Sequence, residues 1–482
     1  MVTTFEKKEL KKKSENLSEW YTDVVLKARI ADYSPVKGCM VIRPYGYALW
    51  EGVQEALNRM IKAAGVENAY FPLFIPHSLL EKEKEHVKGF SPELAVVTVG
   101  GGEKLKDPLV VRPTSETIMY AMYAKWIHSW RDLPLLINQW NNVVRWEKRT
   151  YLFLRTTEFL WQEGHTAHET EDEAMEMVMK ALDWYRQIYE DYFAMPVIWG
   201  RKSESEKFAG AKATFAIEAL MPDGKALQAG TSHNLGQNFS RPFEISFQTR
   251  AGKTDFVWQT SWGFSTRSLG GLFLTHGDDN GLILPPQIAP IQVVIVPIYK
   301  GDERKGKLLD YCGELRDALV GQGMRVRLDD RDSQSVGRKF NDWEVKGIPA
   351  RLEIGVTEME HRTVTIARRD TGEKLTAARK DFLPVIEKTL KDIQSSLFSA
   401  AKVFLEANTR NADTLVEFEE IMKSVRGLIR AFWCEEASCE AAIKEKTKAA
   451  TRCLPLDAKQ EKGTCIHCGK PATHRWLFGQ SY

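Results

Sequence analysis

Two neighbouring stretches, residues 135–146 (LLINQWNNVVRW) and 151–159 (YLFLRTTEF), decide the fold class of this chain. Both are rich in aromatic, branched and leucine residues, which favours strands. The charged residues 147–150 (EKRT) between them are typical of a hairpin turn. Strands that pair in chain order, with helices grouped around them, predict an antiparallel sheet in an α+β domain. Further strand-like runs are residues 69–75, 109–114, 243–249 (FEISFQT) and 255–267 (DFVWQTSWGFSTR).

Two amphipathic helices accompany these strands. Apolar residues recur at spacings of three and four in Tyr47–Ala64 and in about Glu171–Tyr192. The run 69–75 (AYFPLFI) contains Pro72, which cannot donate to a sheet ladder, so we expect that strand at an edge or an interface.

The pattern of the sequence changes near Pro285. Ile291–Ile298 (IQVVIVPI) is a continuous apolar run, and strands alternate with helices after it, which predicts a small parallel-sheet α/β domain. We therefore expect three parts. They are an α+β domain on an antiparallel sheet (1–285), a small α/β domain (286–395) and a C-terminal α/β module that carries cysteines (396–482).

The composition is that of an ordinary globular protein. The 482 residues are 43% hydrophobic and 27% charged, which argues against disordered, collagenous and repeat classes. The net charge of +2 indicates no global attraction to nucleic acid, although a local basic face would suffice. No apolar run of roughly 18 residues is present, and the charged residues 6–13 do not resemble a signal peptide. We expect a cytoplasmic protein with no membrane partner.

Most of the seven cysteines lie near the end of the chain. Cys434 and Cys439 form one short-spaced pair, and Cys465 and Cys468 form another, which is the usual arrangement of a tetrahedral zinc site. Disulfides are rare in cytosolic proteins. We predict a closed, structural Zn²⁺ site at these four residues. The competing ligands are Cys453, His467 and His474.

Charged and hydroxyl residues gather on the strand-like segments. Residues 112–116 (RPTSE) place a carboxylate and two hydroxyls at one strand end. Arg145 and Glu147 would share a strand face, and Arg155 would lie on the partner strand. Arg267 lies between a strand and a helix start. Arginine is rarely buried without a partner, so the alternative interpretation is a set of core ion pairs.

In their order, these segments resemble the three signature motifs of the class II aminoacyl-tRNA synthetases. Helix 47–64 with the strand after it resembles motif 1, the dimer-interface element. Residues 145–147 (RWE) with Arg155 resemble motif 2, and 263–271 (GFSTRSLGG) resembles motif 3. The segments RPTSE, WQEGHTAHE and QAGTSHNLGQNFS narrow the resemblance to the prolyl-tRNA synthetases.

The resemblance implies a homodimeric proline–tRNA ligase, which activates L-proline with ATP to prolyl-adenylate and transfers it to the 3′ end of tRNA(Pro). In this reaction the proline carboxylate must approach the α-phosphate of ATP. The rigid, planar guanidinium group of arginine is suited to binding two such anions. In this family Arg145 bridges the α-phosphate and the proline carboxylate, and Arg267 holds the triphosphate, so both are catalytic candidates. Mg²⁺ normally accompanies the ATP. The implied ATP residues are Arg145, Glu147, Arg155, Gln228, Thr231, Ser265 and Arg267.

Proline is a small apolar ring with a cationic amine, so its pocket needs an aromatic wall and an acceptor. Apolar pockets discriminate by only about 1–3 kcal/mol per methylene. The stretch 163–228 is too short for the editing domain that some relatives carry. We predict no cis-editing and some misactivation of alanine or cysteine. The implied proline residues are Thr114, Glu116, Arg145, Trp161, Glu163 and His233, with Phe208 beside the ring.

The α/β domain is similar to the anticodon-binding domain of prolyl, threonyl, histidyl and glycyl enzymes. Single-stranded bases are read by stacking and by hydrogen bonds to their edges. Proline anticodons end in two guanines, to which a carboxylate and an arginine can both bond. Glu344 and Arg351 are the candidate anticodon readers, and the alternative is a solvated charged surface.

Other functions remain open at this stage. A sister synthetase for threonine would share the anticodon domain, and a synthetase-like sensor would lack the ATP-contacting arginines. A zinc-stabilised tRNA-binding module would not need the long N-terminal segment that resembles a catalytic domain. His165 and His168 have a metal-compatible spacing but no evident third ligand, so we expect a structural or substrate-positioning role.

Overall fold

The part of the chain before residue 286 folds around one large sheet. The computed structural model describes residues 10–80, 94–299, 301 and 303–482, so the charged residues 6–9 lie outside it. The helices of this part are Leu17–Lys27, Pro44–Ala63, His77–Leu80, Glu116–Trp126, Glu171–Gln187 with a π-helical continuation Ile188–Tyr192, and Arg267–His276, and Trp130–Asp132 is a 3₁₀ turn. The strands are β1 (Ala31–Tyr33), β2 (Met40–Ile42), β3 (Glu67–Asn68), β4 (Phe74–Pro76), β5 (Ala95–Gly100), β6 (Glu103–Val111), β7 (Leu135–Val144), β8 (Glu158–His168), β9 (Ile198–Arg201), β10 (Ala213–Leu220), β11 (Ala226–Gly236), β12 (Ser246–Gln248), β13 (Thr254–Phe256) and β14 (Trp258–Ser265).

The predicted antiparallel sheet is confirmed. Strands β9, β10, β11, β14, β8 and β7 are neighbours in that order, and every one of these pairings is antiparallel. Strand β3 extends the sheet by pairing parallel to β7. Both predicted amphipathic helices are present and bury their apolar faces in the same core, which also contains residues 152–154.

The prediction of a strand at 151–159 is wrong for residues 151–157, and only Glu158 and Phe159 fall within β8. Tyr151 and Arg155 instead close a tight turn, in which Tyr151 N–H donates to Arg155 O at 2.6 Å. Phe153 has a φ of 61°, in the left-handed region, and its apolar neighbours are buried with it. The apolar pattern therefore reflects burial of a turn, and Arg155 lies on a loop. In the predicted strand 69–75, only Phe74 and Ile75 fall within β4.

The second part contains a mixed sheet. Strand order is β16-β15-β17-β18-β19, and β15 is parallel to β16 and β17, whereas β18 and β19 are antiparallel. The expectation of a purely parallel sheet is thus wrong for its last two strands. The helices are Lys305–Gly321, Val336–Val345, Val356–His361 and Phe382–Ala407, of which the last runs through position 395. The strands are β15 (Val293–Ile298), β16 (Val326–Leu328), β17 (Ala350–Gly355), β18 (Thr363–Arg368) and β19 (Lys374–Ala378).

The C-terminal part joins the first sheet. Strand β22 pairs with β9 through Leu454 and Arg201, so eleven described strands form one continuous sheet. A Cβ at Gly200 would lie 2.1 Å from Leu454 O, which means that this approach requires glycine. Helices Leu415–Ser424 and Ala437–Thr447 pack beside it, and no described helix has the length and apolar character needed to cross a membrane. The strands are β20 (Thr409–Ala412), β21 (Leu428–Phe432), β22 (Ala450–Pro455), β23 (Gly463–Thr464), β24 (Pro471–Ala472) and β25 (Arg475–Gly479).

Candidate active site

A cavity of about 270 Å³ lies over the main sheet and gathers residues from distant parts of the sequence. It contains all six predicted proline residues and five of the seven predicted ATP residues. The other two, Glu147 and Arg155, line a small adjoining pocket that shares Arg145 and Arg267 with the cavity. The predicted cavity residues are Thr114, Glu116, Arg145, Trp161, Glu163, Phe208, Gln228, Thr231, His233, Ser265 and Arg267.

Arg145 follows the end of β7 and is held by one carbonyl and two rings. Its Nε donates to Pro113 O at 3.0 Å. The guanidinium carbon lies 5.4 Å from the Phe159 ring centroid and 5.5 Å from that of Trp161. Because stacking and one hydrogen bond fix its plane, the fork is oriented before any ligand arrives.

Arg267 is the first residue of the helix Arg267–His276 and lines the cavity beside the turn at 151–155. Its Nε donates to Leu154 O at 3.0 Å, and its backbone N–H donates to Ser265 Oγ at 3.3 Å. Burial, followed by the positive charge of Arg145, lowers the pKa of Arg267. The two guanidinium groups therefore repel each other, and an anion bound between them would reduce this repulsion.

Glu147 and Arg155 form an ion pair at the edge of the site. Arg155 Nε lies 2.7 Å from Glu147 Oε2, and the Arg155 side chain is 50% exposed against 14% for Glu147. The carboxylate of Glu147, a predicted ATP residue, is thus shared with a neighbouring arginine.

The opposite end of the cavity carries Thr114 and Glu116 at the start of the helix Glu116–Trp126. Thr114 Oγ1 donates to Glu116 Oε2, and both side chains are buried. Across from them, the ring of Phe208 stacks on His233 with centroids 4.6 Å apart. His233 Nδ1 bonds to Thr214 Oγ1 at 2.9 Å, which fixes the ring. The cavity therefore contains both a buried carboxylate and a stacked aromatic pair.

Glu163 lies deeper than its neighbours and is 1% exposed. Its carboxylate accepts hydrogen bonds from Asn141 Nδ2 at 2.6 Å and from Ser115, and it bonds to His165 Nε2 at 3.0 Å. Burial raises the pKa of Glu163, but the hydrogen bonds from His165, Ser115 and Asn141 outweigh it and lower the net pKa. Burial lowers the pKa of His165, but Glu163 and Glu116 outweigh it and raise that pKa. Because His165 also lines the cavity, the choice between a structural and a substrate-positioning role stays a prediction.

Sequence reasoning missed several parts of the site. The carbonyls of Pro113 and Leu154 orient the two arginines, and no sequence signal could have found them. Ser261, which lies two residues before Gly263 on β14, could have been found from the strand alternation. Among the described residues, Ser261 Oγ and the Trp161 and Trp262 Nε1 groups are buried without a hydrogen-bond partner. Such donors are expected where a polar ligand or water binds.

The candidate anticodon residues lie in the second part. Glu344 is near the end of the helix Val336–Val345, where its carbonyl accepts from Arg369 Nε at 3.1 Å. Arg351 on β17 donates to Glu353 Oε1 at 2.8 Å and lies 4.1 Å from the Phe340 ring centroid. Both residues stay predictions for anticodon reading.

The four predicted zinc ligands come together. The sulfur atoms of Cys434, Cys439, Cys465 and Cys468 all lie within 4.8 Å of one another, and those of Cys434 and Cys468 are 3.7 Å apart. Tetrahedral zinc with Zn–S distances of about 2.3 Å requires sulfur separations of about 3.8 Å. The cluster fits a structural zinc ion, whereas the competing Cys453 is buried beside Leu220 and Ala226.

Three family models match the chain. Residues 98–275 match the tRNA synthetase class II core domain (G, H, P, S and T), and 292–389 match an anticodon binding domain. Residues 415–482 match the C-terminal domain of prolyl-tRNA synthetase. The antiparallel sheet and its arginine-lined cavity therefore define a class II aminoacyl-tRNA synthetase.

Similar proteins cover almost the whole chain. A proline–tRNA ligase of Natranaerobius thermophilus is 53% identical over 462 residues, which are 96% of this chain and 95% of the relative. Proline–tRNA ligases of Chlorobium phaeobacteroides and Chlorobium luteolum are each 52% identical over 478 residues, 98% of both chains. The chain thus belongs to the prolyl-tRNA synthetase family, in the archaeal/eukaryotic-type group with this C-terminal domain.

Proposed function

We propose that this chain activates L-proline with ATP, releases pyrophosphate, and transfers the prolyl group from prolyl-adenylate to the 3′ end of tRNA(Pro). The observation that carries the proposal is that Arg145 and Arg267 line one cavity with the Thr114–Glu116 pair and the Phe208–His233 stack. The names of the relatives support the same reaction.

Arg145 and Arg267 perform the charge-stabilising work of activation. Arg145 bridges the proline carboxylate and the α-phosphate, so that two anions can approach, and Arg267 holds the remaining phosphates. Their carbonyl acceptors orient both forks in advance, which is the main source of such catalysis. Mg²⁺ accompanies the ATP and neutralises phosphate charge. The proposed nucleotide contacts are completed by Glu147, Arg155, Gln228, Thr231 and Ser265.

Proline binds at the other end of the cavity. Glu116, with Thr114 bonded to it, accepts from the cationic amine, and Trp161 with the Phe208–His233 stack encloses the ring. The Glu163 carboxylate is already bonded by Ser115, Asn141 and His165. We assign to Glu163 the role of maintaining the shape of the pocket.

The decisive test measures exchange of labelled pyrophosphate into ATP across the twenty amino acids. We expect exchange with proline and weaker exchange with alanine or cysteine. Threonine-dependent exchange would favour the sister synthetase, and the absence of any exchange would favour a sensor protein.

We also propose that this chain does not edit in cis. Between Glu163 and Gln228, all of which is described, the chain forms the end of β8, the helix Glu171–Gln187, β9 and β10 within the main core. We expect alanyl-tRNA(Pro) or cysteinyl-tRNA(Pro) to accumulate, with no continuing AMP formation beyond one AMP per mischarged tRNA, measured by thin-layer chromatography. Efficient hydrolysis of alanyl-tRNA(Pro) by the chain would contradict this.

The three proposed parts remain 1–285 for catalysis, 286–395 for the anticodon and 396–482 for zinc binding. We expect one zinc ion per chain, held by Cys434, Cys439, Cys465 and Cys468. Removing it with a chelator should lower the melting temperature by several degrees, because a structural site contributes folding energy. Atomic absorption before and after chelation measures the ion, and a chain without zinc that melts at the same temperature would contradict the proposal.

A homodimer is supported by exposed apolar side chains in the motif 1 region and on the two short strands before it. Tyr33 and Val41 on β1 and β2, Tyr47 on the helix Pro44–Ala63 and Phe74 on β4 are all exposed. Such a concentration is typical of an interaction surface. Sedimentation equilibrium should give twice the chain mass, and Val41→Glu should shift it toward the monomer.

A further inference from the structure

Lys202 is a buried cation on the cavity wall to which the proposed reaction gives no role so far. It follows β9 directly, is 3% exposed and lines the cavity together with Thr214. Its backbone N–H donates to Thr214 O at 2.8 Å, which keeps it beside β10. Lysine is almost never buried to this extent unless it is paired.

The partner of Lys202 is Glu218. Lys202 Nζ lies 3.2 Å from Glu218 Oε1, and Glu218 is fully buried. Side chains alternate along a strand, so Glu218 lies on the same face of β10 as the cavity residue Thr214. Glu218 is also the register partner of Gln228, a proposed ATP residue. One carboxylate oxygen therefore holds the Lys202 ammonium at the cavity.

The second oxygen of Glu218 belongs to the C-terminal part. Arg452 on β22 donates to Glu218 Oε2 through Nε at 3.1 Å and through the second terminal nitrogen at 2.8 Å. Burial lowers the pKa of Arg452, but the charge and hydrogen bonds of Glu218 outweigh it and raise that pKa. Because β22 also pairs with β9 at Arg201, the residue before Lys202, the C-terminal part fixes this wall through both backbone and side chain.

A second contact follows the same pattern. Lys444, from the helix Ala437–Thr447, lies 2.9 Å from Glu206, which also lines the cavity. Ser203 Oγ, next to Lys202, donates to Glu440 of that helix at 3.0 Å. The wall formed by residues 202–206 is therefore attached to the C-terminal part at several points.

We propose that Lys202 binds a phosphate oxygen of the ligand in this cavity, and that Arg452 is a positioning residue that sets the Lys202 ammonium through Glu218. The proposal deepens the proposed function and rests on it. An ammonium has three donors, and Glu218 engages one of them. In a buried site a charge-assisted bond to phosphate is stronger than in water. The phosphate belongs to ATP or to the 3′ end of the tRNA, which share this chemistry.

The first experiment compares Lys202→Met and Lys202→Arg in the full chain with the unaltered protein. If the phosphate is that of ATP, Lys202→Met raises the KM for ATP in proline-dependent pyrophosphate exchange by about tenfold or more. If it is that of the tRNA, exchange is unchanged and transfer from preformed adenylate slows by a similar factor. Lys202→Arg recovers much of either loss.

The outcomes separate this proposal from the proposed function. No proline-dependent exchange by the unaltered chain would overturn the function. Normal exchange and normal transfer by Lys202→Met would overturn only the role of Lys202.

The second experiment tests the positioning role of Arg452. Arg452→Met should change the same kinetic constant as Lys202→Met, and Arg452→Lys should recover part of it. In the Lys202→Met background, Arg452→Met should have no further effect on that constant, because it acts through Lys202. Additive effects would overturn the positioning role. If Arg452→Met does not fold, Glu218→Gln, which keeps the shape of the acceptor, should shift the same constant.

Arg475→Met serves as the matched control. Arg475 pairs with Asp413 at 2.6 Å and lies over the Phe432 ring, both within the C-terminal part. It should lower the melting temperature as Arg452→Met does, with zinc retained, but leave the kinetic constants unchanged. Equal kinetic effects of the two variants would reduce Arg452 to a structural residue and overturn its proposed role.

Discussion

The catalytic cavity and the candidate anticodon surface both present arginines, but they hold them differently. In the cavity, Arg145 and Arg267 donate to the backbone carbonyls of Pro113 and Leu154. In the second part, Arg351 bonds to Glu353 and Arg331 to Asp329. A carbonyl orients a guanidinium without bringing a negative charge to it, whereas a carboxylate brings one.

The pKa shifts of one arginine from each region run in opposite directions. Burial and the charge of Arg145 lower the pKa of Arg267. The hydrogen bond to Asp329 is the largest cause of the raised pKa of Arg331. These shifts favour an anion in the cavity, and at the candidate anticodon surface we propose that existing polar contacts are exchanged for contacts with base edges.

Removing a cavity arginine should have the largest effect and tests the difference between the two regions most strongly. We expect Arg145→Ala and Arg267→Ala each to lower kcat/KM for proline-dependent pyrophosphate exchange by about 10³-fold, because each removes charge stabilisation of the transition state. Arg267→Lys should also be impaired, since it keeps the charge and loses the planar fork. Circular dichroism checks that the variants fold. A loss below tenfold would indicate that these arginines have only a structural role.

The anticodon surface should respond in a different assay. We expect Glu344→Ala and Arg351→Ala each to lower kcat/KM for tRNA charging by about tenfold to a hundredfold, as loss of one base contact does. Pyrophosphate exchange should be unchanged because no tRNA takes part in it. Arg304→Ala, which removes an exposed arginine paired with Glu360, is the matched control and should change neither assay. Equal losses in charging and exchange would contradict the separation of the two regions.

A smaller effect concerns the helix that Arg267 begins. His276 ends that helix, donates to Phe193 O at 2.7 Å, and has a pKa lowered by burial to about 4. Its contribution to stability is complete above the unfolded pKa of about 6.5 and is lost as the pH falls toward 4, because only the unfolded chain takes up the proton there.

The variant His276→Gln tests this pH dependence. Between pH 7 and pH 5 the unaltered chain should lose about 2 kcal/mol of stability through His276, and the variant should lose less by that amount. Urea unfolding of both chains at the two pH values measures the difference. Identical losses would exclude His276 as the group responsible, and His168, whose pKa is also about 4, would be the next candidate.

The residues of the cavity could be predicted from the sequence more accurately than the local conformation of the backbone. Trp161 and Glu163 on β8 and His233 on β11 were identified because their motifs resemble those of a known family, and all three residues line the cavity. The turn at 151–155 was mistaken for a strand because its buried apolar residues have the composition of a strand.

Long-range contacts could not be predicted from the sequence. The pairing of β22 with β9, and the bonds from Arg452 to Glu218, join positions more than two hundred residues apart. No local pattern at Gly200 or Lys202 indicates which strand will arrive there, because register is set by the packed sheet. The carbonyl acceptors of the two cavity arginines were hidden for a related reason, since every residue carries a carbonyl.

The most direct test of the account is a crystal structure with ATP and proline bound. We predict that the guanidinium groups at positions 145 and 267 both contact phosphate oxygens, with the proline amine against Glu116. A nucleotide bound outside the cavity, or either guanidinium turned away from it, would contradict the account.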